Sequence, residues 1–201
     1  FKIMADLITV QEYKNAEGIS NQKDDQRLDV IVPQVSDLAK KYCGTTFIDY
    51  YSSGRTETIS VHDKYTSTII VSESPLIAVS SVQERTGYAE DYETLTTTDY
   101  EYYVDTAADA IIRTTKSGGK AYWASGVGSV RVTYTAGYSA TPSDLKLALF
   151  DLVTYYLKDE HKERRTIAGA TLQNQGTSGV RDNTDFPDHI KRVLDLYRVI
   201  I

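Results

Sequence analysis

Residues 130–165 read VRVTYTAGYSATPSDLKLALFDLVTYYLKDEHKERR, a strand that turns at a glycine and feeds a long amphipathic helix. In Val130-Arg131-Val132-Thr133-Tyr134 apolar and polar residues alternate, as a half-buried strand requires. Gly137 is the expected turn position, because glycine takes positive φ without steric cost. Thr141-Pro142-Ser143-Asp144 then reads as a helix start, with Thr141 as N-cap, Pro142 at the first helical position and Asp144 completing a capping box. Leu145, Ala148, Leu149, Leu152, Val153 and Tyr156 follow the i, i+3, i+4, i+7 rule, so that face is buried.

On the N-terminal side, residues 7–17 read as a first helix capped by Thr9, with Glu12 closing a capping box and Gly18 ending it. Asp24 and Asp25 suit the positive end of a second helix. Leu28, Ile31, Val32, Val35, Leu38, Ala39 and Tyr42 form its stripe and Gly44 closes it, while Pro33 is expected to interrupt and bend it.

From Thr45 to Tyr134 the period changes to two. Candidate strands cover residues 56–62, 66–72, 77–85, 100–105, 110–115 and 127–135, separated by Gly, Ser and Pro turns, and predict one meandering antiparallel sheet. Beyond the long helix, residues 166–185 show no periodicity and form a loop of about twenty residues, a length that compact domains keep for function or disorder. Phe186-Pro187 opens a last helix, with Ile190, Val193, Leu194 and Tyr197 on one face. The fold class is therefore α+β: a single domain over 1–201, helical in 7–44 and 141–201, with a β-rich insert at 45–136.

The chain has 201 residues and a formal charge of −6. Residues 45–136 hold twelve acids against seven bases, and residues 137–201 nine of each. That balance disfavours wrapping nucleic acid, whose affinity comes mainly from cations neutralising phosphates. Sixteen tyrosines stand against four phenylalanines and one tryptophan; both an interface-forming surface and simple strand formation account for that choice. A lone cysteine, Cys43, excludes an internal disulfide and a cysteine-based zinc site, and is expected to pack as a small apolar residue. No apolar run approaches the ~20 residues of a membrane span and no signal-peptide core opens the chain, so a soluble cytoplasmic protein is expected.

Catalytic patterns are missing. His62, His161 and His189 fall in separate elements without ligand spacing, and there is no HExxH or GxSxG. Gly126-Val127-Gly128 precedes a strand rather than a helix, so it is no phosphate loop. Glu90-Asp91-Tyr92-Glu93 could offer hard oxygen ligands but sits in a turn beside Gly87, where a solvated loop is the better reading. Lys162, Arg164 and Arg165 suit the negative end of the long helix; the alternative is that these arginines, with Arg181, meet an acidic partner or a DNA phosphate. No cofactor or metal is expected.

The order of parts carries a resemblance. DDQRLDVIVPQVSDLAKKYCG, then SPLIAVSSVQER, then VTYTAGY with TPSDLK and its helix, and a closing FPDHIKRVLDLYRVI resemble the head-tail connector (adaptor) proteins of tailed bacteriophages. Pro33 and the length of the β insert depart from that family's usual pattern. The resemblance implies a non-enzymatic virion protein, made in the host bacterial cytoplasm. It implies a ring, taken as twelve-fold, below the portal protein, which completes the filled head and offers a docking site to a tail or stopper protein. DNA would be cargo in the channel, and no membrane would be involved. The competing reading is a β-rich tail or capsid-decoration module that binds through its tyrosine-bearing sheet.

Two sets of contact residues follow as expectations. Arg164, Arg165, Ala168, Gly169, Leu172, Gln175, Gly176, Gly179 and Arg181 belong to the loop expected to reach the portal or a neighbouring subunit. Tyr197 and Arg198, in the last helix, are expected to anchor an interface, since Tyr and Arg are favoured there.

Overall fold

A computed structural model describes residues 5–99, 101–158 and 186–199. The fold is α+β, and the chain divides into two compact units: a helical one from residues up to Gly44 and from Thr141 onward, and a β-rich one from Thr45 to Ala140.

The helical unit contains α1 (Val10–Glu17), α2 (Asp25–Cys43), α3 (Ser143–Leu157) and α4 (Asp188–Leu196). The predicted apolar stripes are its core: Leu28, Val32, Val35 and Ala39 of α2, Leu145, Ala148, Leu149, Leu152 and Val153 of α3, and Ile190 and Leu194 of α4 are all buried. Thr9 and Glu12 form the expected capping box, and Gly18 and Gly44 end α1 and α2 in the left-handed conformation. However, α1 starts at Val10 rather than residue 7. Ile8 and Tyr13, the two positions of a hydrophobic staple, are both buried and set the entry of the chain instead.

Two helix readings need correction. Pro33 lies inside an unbroken α2. An interior proline costs ~3 kcal/mol, but each fully buried Leu or Val of the stripe contributes ~1.5–3 kcal/mol, so packing on both sides of Pro33 outweighs one missing hydrogen bond. Thr141 does not cap α3: Pro142 occupies that position without a side-chain bond, and the buried Thr141 hydroxyl donates to the Leu7 carbonyl at 2.6 Å. Burial gave the hydroxyl a partner distant in sequence before a local one.

The β-rich unit contains β1 (Arg55–Val61), β2 (Thr68–Ile70), β3 (Leu76–Glu84), β4 (Glu93–Leu95), β5 (Tyr102–Asp105), β6 (Ala110–Arg113) and β7 (Gly126–Ala136). They form two antiparallel sheets, ordered β1-β7-β3-β4 and β2-β6-β5, rather than one meander. Alternation tells which face a residue takes, not which strand lies beside it, and β7 enters between β1 and β3 from far along the chain. Val130, Val132, Tyr134 and Ala136 of β7 join Val61, Ile69, Val71, Leu76, Val82, Ile111 and Trp123 in one buried cluster.

Gly137 closes β7 as expected, at φ 96°. A Cβ there would stand 2.1 Å from the Phe47 carbonyl oxygen. That close approach lets Tyr138 N–H donate to the Phe47 carbonyl at 2.7 Å and Gly137 N–H to the Pro75 carbonyl at 2.9 Å.

Candidate interaction surfaces

In the helical unit Tyr197 and Arg198, expected within the last helix, lie just beyond its end at Leu196, where the chain caps α4 beside α2 and α3. The Tyr197 hydroxyl donates to both carboxylate oxygens of Asp144, at 2.7 and 2.8 Å. Asp144 lies in the first turn of α3, where the helix end favours an anion. The Tyr197 hydrogen bond holds its carboxyl below the ordinary 3.8. The Arg198 guanidinium lies over the Tyr42 ring at 5.6 Å, and Tyr42 meets Phe186 edge-on at 5.3 Å. Tyr42 also donates its hydroxyl to Asp195.

Backbone closes the same joint. Val199 N–H donates to the Cys43 carbonyl at 2.9 Å, and the Cys43 thiol points to the Leu194 carbonyl at 3.5 Å. Cys43 is buried as expected, and burial pushes its thiol up to about 12, so it stays protonated. Tyr197 and Arg198 therefore clasp their own chain, and any outside partner meets a preorganised surface.

The loop set, Arg164, Arg165, Ala168, Gly169, Leu172, Gln175, Gly176, Gly179 and Arg181, lies outside the described residues. His161 does too. His62 is exposed, and the exposed His189 stands 3.8 Å from Asp151. Among the described residues no group of three or more His, Cys, Asp or Glu side chains is placed to hold a metal ion.

The β-rich unit uses three carboxylates as internal struts. Glu73, 3% exposed, accepts from Thr45 Oγ1, Thr46 N–H and Thr46 Oγ1 and pairs with Arg55 at 2.6 Å. Glu57 accepts from Ser72 N–H, Ser72 Oγ and the Tyr134 hydroxyl at 2.8 Å, and burial raises the Tyr134 pKa. Glu84 accepts from Arg113 and, at 2.6 Å, from Ala124 N–H. The sequence reading singled out none of them. For Glu57 in β1 and Glu84 in β3 the available signal was an acid within a strand, which stays inside only when its oxygens are hydrogen-bonded, whereas Glu73 lies in a bend between β2 and β3 and had no such signal.

Three loops of this unit converge at one end. Val61 pairs with Gly126, Trp123 N–H donates to the Thr66 carbonyl at 2.9 Å, and Arg85 donates to the Gly128 and Val127 carbonyls. Cations stack on tyrosines throughout: Arg85 lies between Tyr88 and Tyr92, at 4.8 and 4.6 Å, and Arg131 covers Tyr92 at 3.9 Å. Lys64 lies over Tyr65 at 4.9 Å and Lys120 over Tyr122 at 5.2 Å, and these two rings meet edge-to-face at 5.6 Å. Each such contact contributes ~0.5–1 kcal/mol where exposed. Glu90 takes a hydrogen bond from Thr86, so part of the acidic turn is committed to the loop itself.

Comparison with known proteins adds four likenesses. The model of the family described as "Head completion protein" matches residues 6–200. The head completion protein of Escherichia phage T5 is 37% identical over 73 residues, 35% of this chain and 39% of that protein. The chain thus matches well under two thirds of that relative's length. A chain in the neck of an empty gene transfer agent particle, computed with C6 symmetry, superposes with a TM-score of 0.57 at 14% identity, covering 97% of this chain and 91% of the other. One from the neck of the native particle, with C12 symmetry, gives 0.54 at 14% identity over 99% and 96%. At that identity the two superpositions speak for the fold.

Proposed function

Because this chain belongs to the head completion protein family, we propose that it is a structural, non-enzymatic protein of the virion neck that joins head to tail. The observation that carries the reading is the reach of the family match, residues 6–200, across both units and nearly the whole chain. The fold it shares with chains of a six-fold and a twelve-fold symmetric neck supports a closed ring of subunits, taken as twelve. The ring sits below the portal protein, completes the filled head and offers its far face to a tail or stopper protein. Helical and β-rich units together act as one connector subunit over 1–201.

A ring subunit needs two different faces, since head-to-tail contacts are heterologous. Tyr197 and Arg198 form part of one, through the α2-α3-α4 joint that they hold in shape. The segment containing Arg164, Arg165, Ala168, Gly169, Leu172, Gln175, Gly176, Gly179 and Arg181 contacts the portal or the adjacent subunit. The net charge of −6 suits a channel wall that lets DNA pass without holding it.

Electron microscopy of portal-bearing particles, with and without the chain, tests this. Ring density at the portal vertex is the expected result; density on the tail shaft or capsid surface would overturn it in favour of a decoration module. Hydrogen exchange over residues 166–185 is expected to slow on assembly, and unchanged exchange would remove that segment from the contact.

A further inference from the structure

The loops at the open end of the β-rich unit have the composition of a recognition surface. They read HDKYTS at residues 62–67, RTGYAEDY at 85–92 and TTKSGGKAYWASGV at 114–127. Tyr, Ser, Gly and Thr with a few cations are what binding loops on β scaffolds use, because tyrosine offers a large, stiff, amphipathic contact at low entropic cost. The large hydrophobic side chains they leave outside are Tyr65 at 62% exposure, Tyr88 at 76%, Tyr122 at 43% and Val127 at 65%. Such a concentration of exposed aromatics marks an interaction site more often than a bare surface.

The loops are also held still. Trp123 is buried with Arg113 over its ring, Arg85 is fastened by three backbone carbonyls, and Gly128 N–H donates to Ser60 Oγ at 2.9 Å. A preorganised surface loses little freedom on docking.

Building on the neck reading above, we propose that Tyr65, Tyr88, Tyr122 and Val127, with Lys64 and Lys120, form a docking surface for a different virion protein whose facing surface carries carboxylates. Lys64 and Lys120 lie on the rings that would be covered, so their ammonium groups end up beside the partner and select acids. Nucleic acid fits less well, since Glu90 and Asp91 stand exposed on the same loops and repel phosphate. Self-pairing through this surface fits less well too. Two copies would set Lys64 and Lys120 against the same cations of the other copy, and the three tyrosines, roughly 200 Å² each, leave about 360 Å² exposed. A surface of that size becomes effective when a ring presents many copies to a partner that itself repeats.

The test replaces Tyr65 or Tyr122, one at a time, with the photo-crosslinker p-benzoylphenylalanine in chain used to complement particles lacking it. Expected is a crosslink to another virion protein, at a peptide containing Asp or Glu, with normal incorporation of the chain. In parallel, the Lys64→Glu, Lys120→Glu double variant is expected to lower tail joining at least tenfold while the amount of chain per head stays unchanged. Crosslinks only between copies of this chain, or full tail joining by the double variant, would overturn the docking surface and leave the neck assignment standing. Wild-type chain missing from the particles would overturn the neck assignment and this surface with it.

Discussion

Gly137 shows how much one residue decides. With a Cβ position 2.1 Å from the Phe47 carbonyl oxygen and φ at 96°, no other residue fits without moving the backbone. Gly137→Ala is expected to cost at least ~3 kcal/mol in urea unfolding, from clash plus backbone strain; a loss under 1 kcal/mol would mean that residues 47 and 137 separate freely. This position was legible because glycine between a strand and a helix start has few other reasons to be there. Glu73 was not legible, since nothing local distinguishes it from a surface acid, and its four hydrogen bonds come from residues 18 to 28 positions away. Glu73→Ala leaves Arg55 without its carboxylate in a largely buried site and is expected to cost ~3 kcal/mol by the same measurement.

At the scale of elements, helices were read more fully than sheets because their signals are local. The capping box at Thr9 and the stop glycines Gly18 and Gly44 act within four residues, whereas β7 pairs with strands about 50 and 70 positions away. β4 escaped notice because a three-residue strand with only Leu95 buried has no period to detect. Pro33 sits in a helix that packing sustains, so Pro33→Ala, which restores one backbone donor, is expected to raise stability by ~1–3 kcal/mol in thermal or urea unfolding. Tyr197 and Arg198 were legible as special residues, but not their first role in tying α4 to α3 and α2. Asp144 has a lowered pKa when folded, so its bond to Tyr197 stabilises the fold fully above the ordinary 3.8 and is lost as pH falls through the folded value. Tyr197→Phe is therefore expected to melt at a lower temperature at pH 7, with the gap to wild type narrowing as pH falls below 3.8. A gap that stays constant with pH would assign the loss to packing alone.

For the molecule as a whole, a net charge of −6 disfavours a grip on nucleic acid. At −6 the chain is expected to leave duplex DNA unretarded in a gel at 0.15 M salt. Clear retardation would point to a cationic face that the sum of charges conceals. The division into two units has a different consequence, in the order of synthesis. The β-rich unit is one continuous stretch, Thr45–Ala140, set into the middle of the helical one. A ribosome therefore releases α1 and α2, with their apolar stripes uncovered, well before α3 and α4 emerge to cover them. These two helices are thus exposed to chaperones for the whole time it takes to translate the insert.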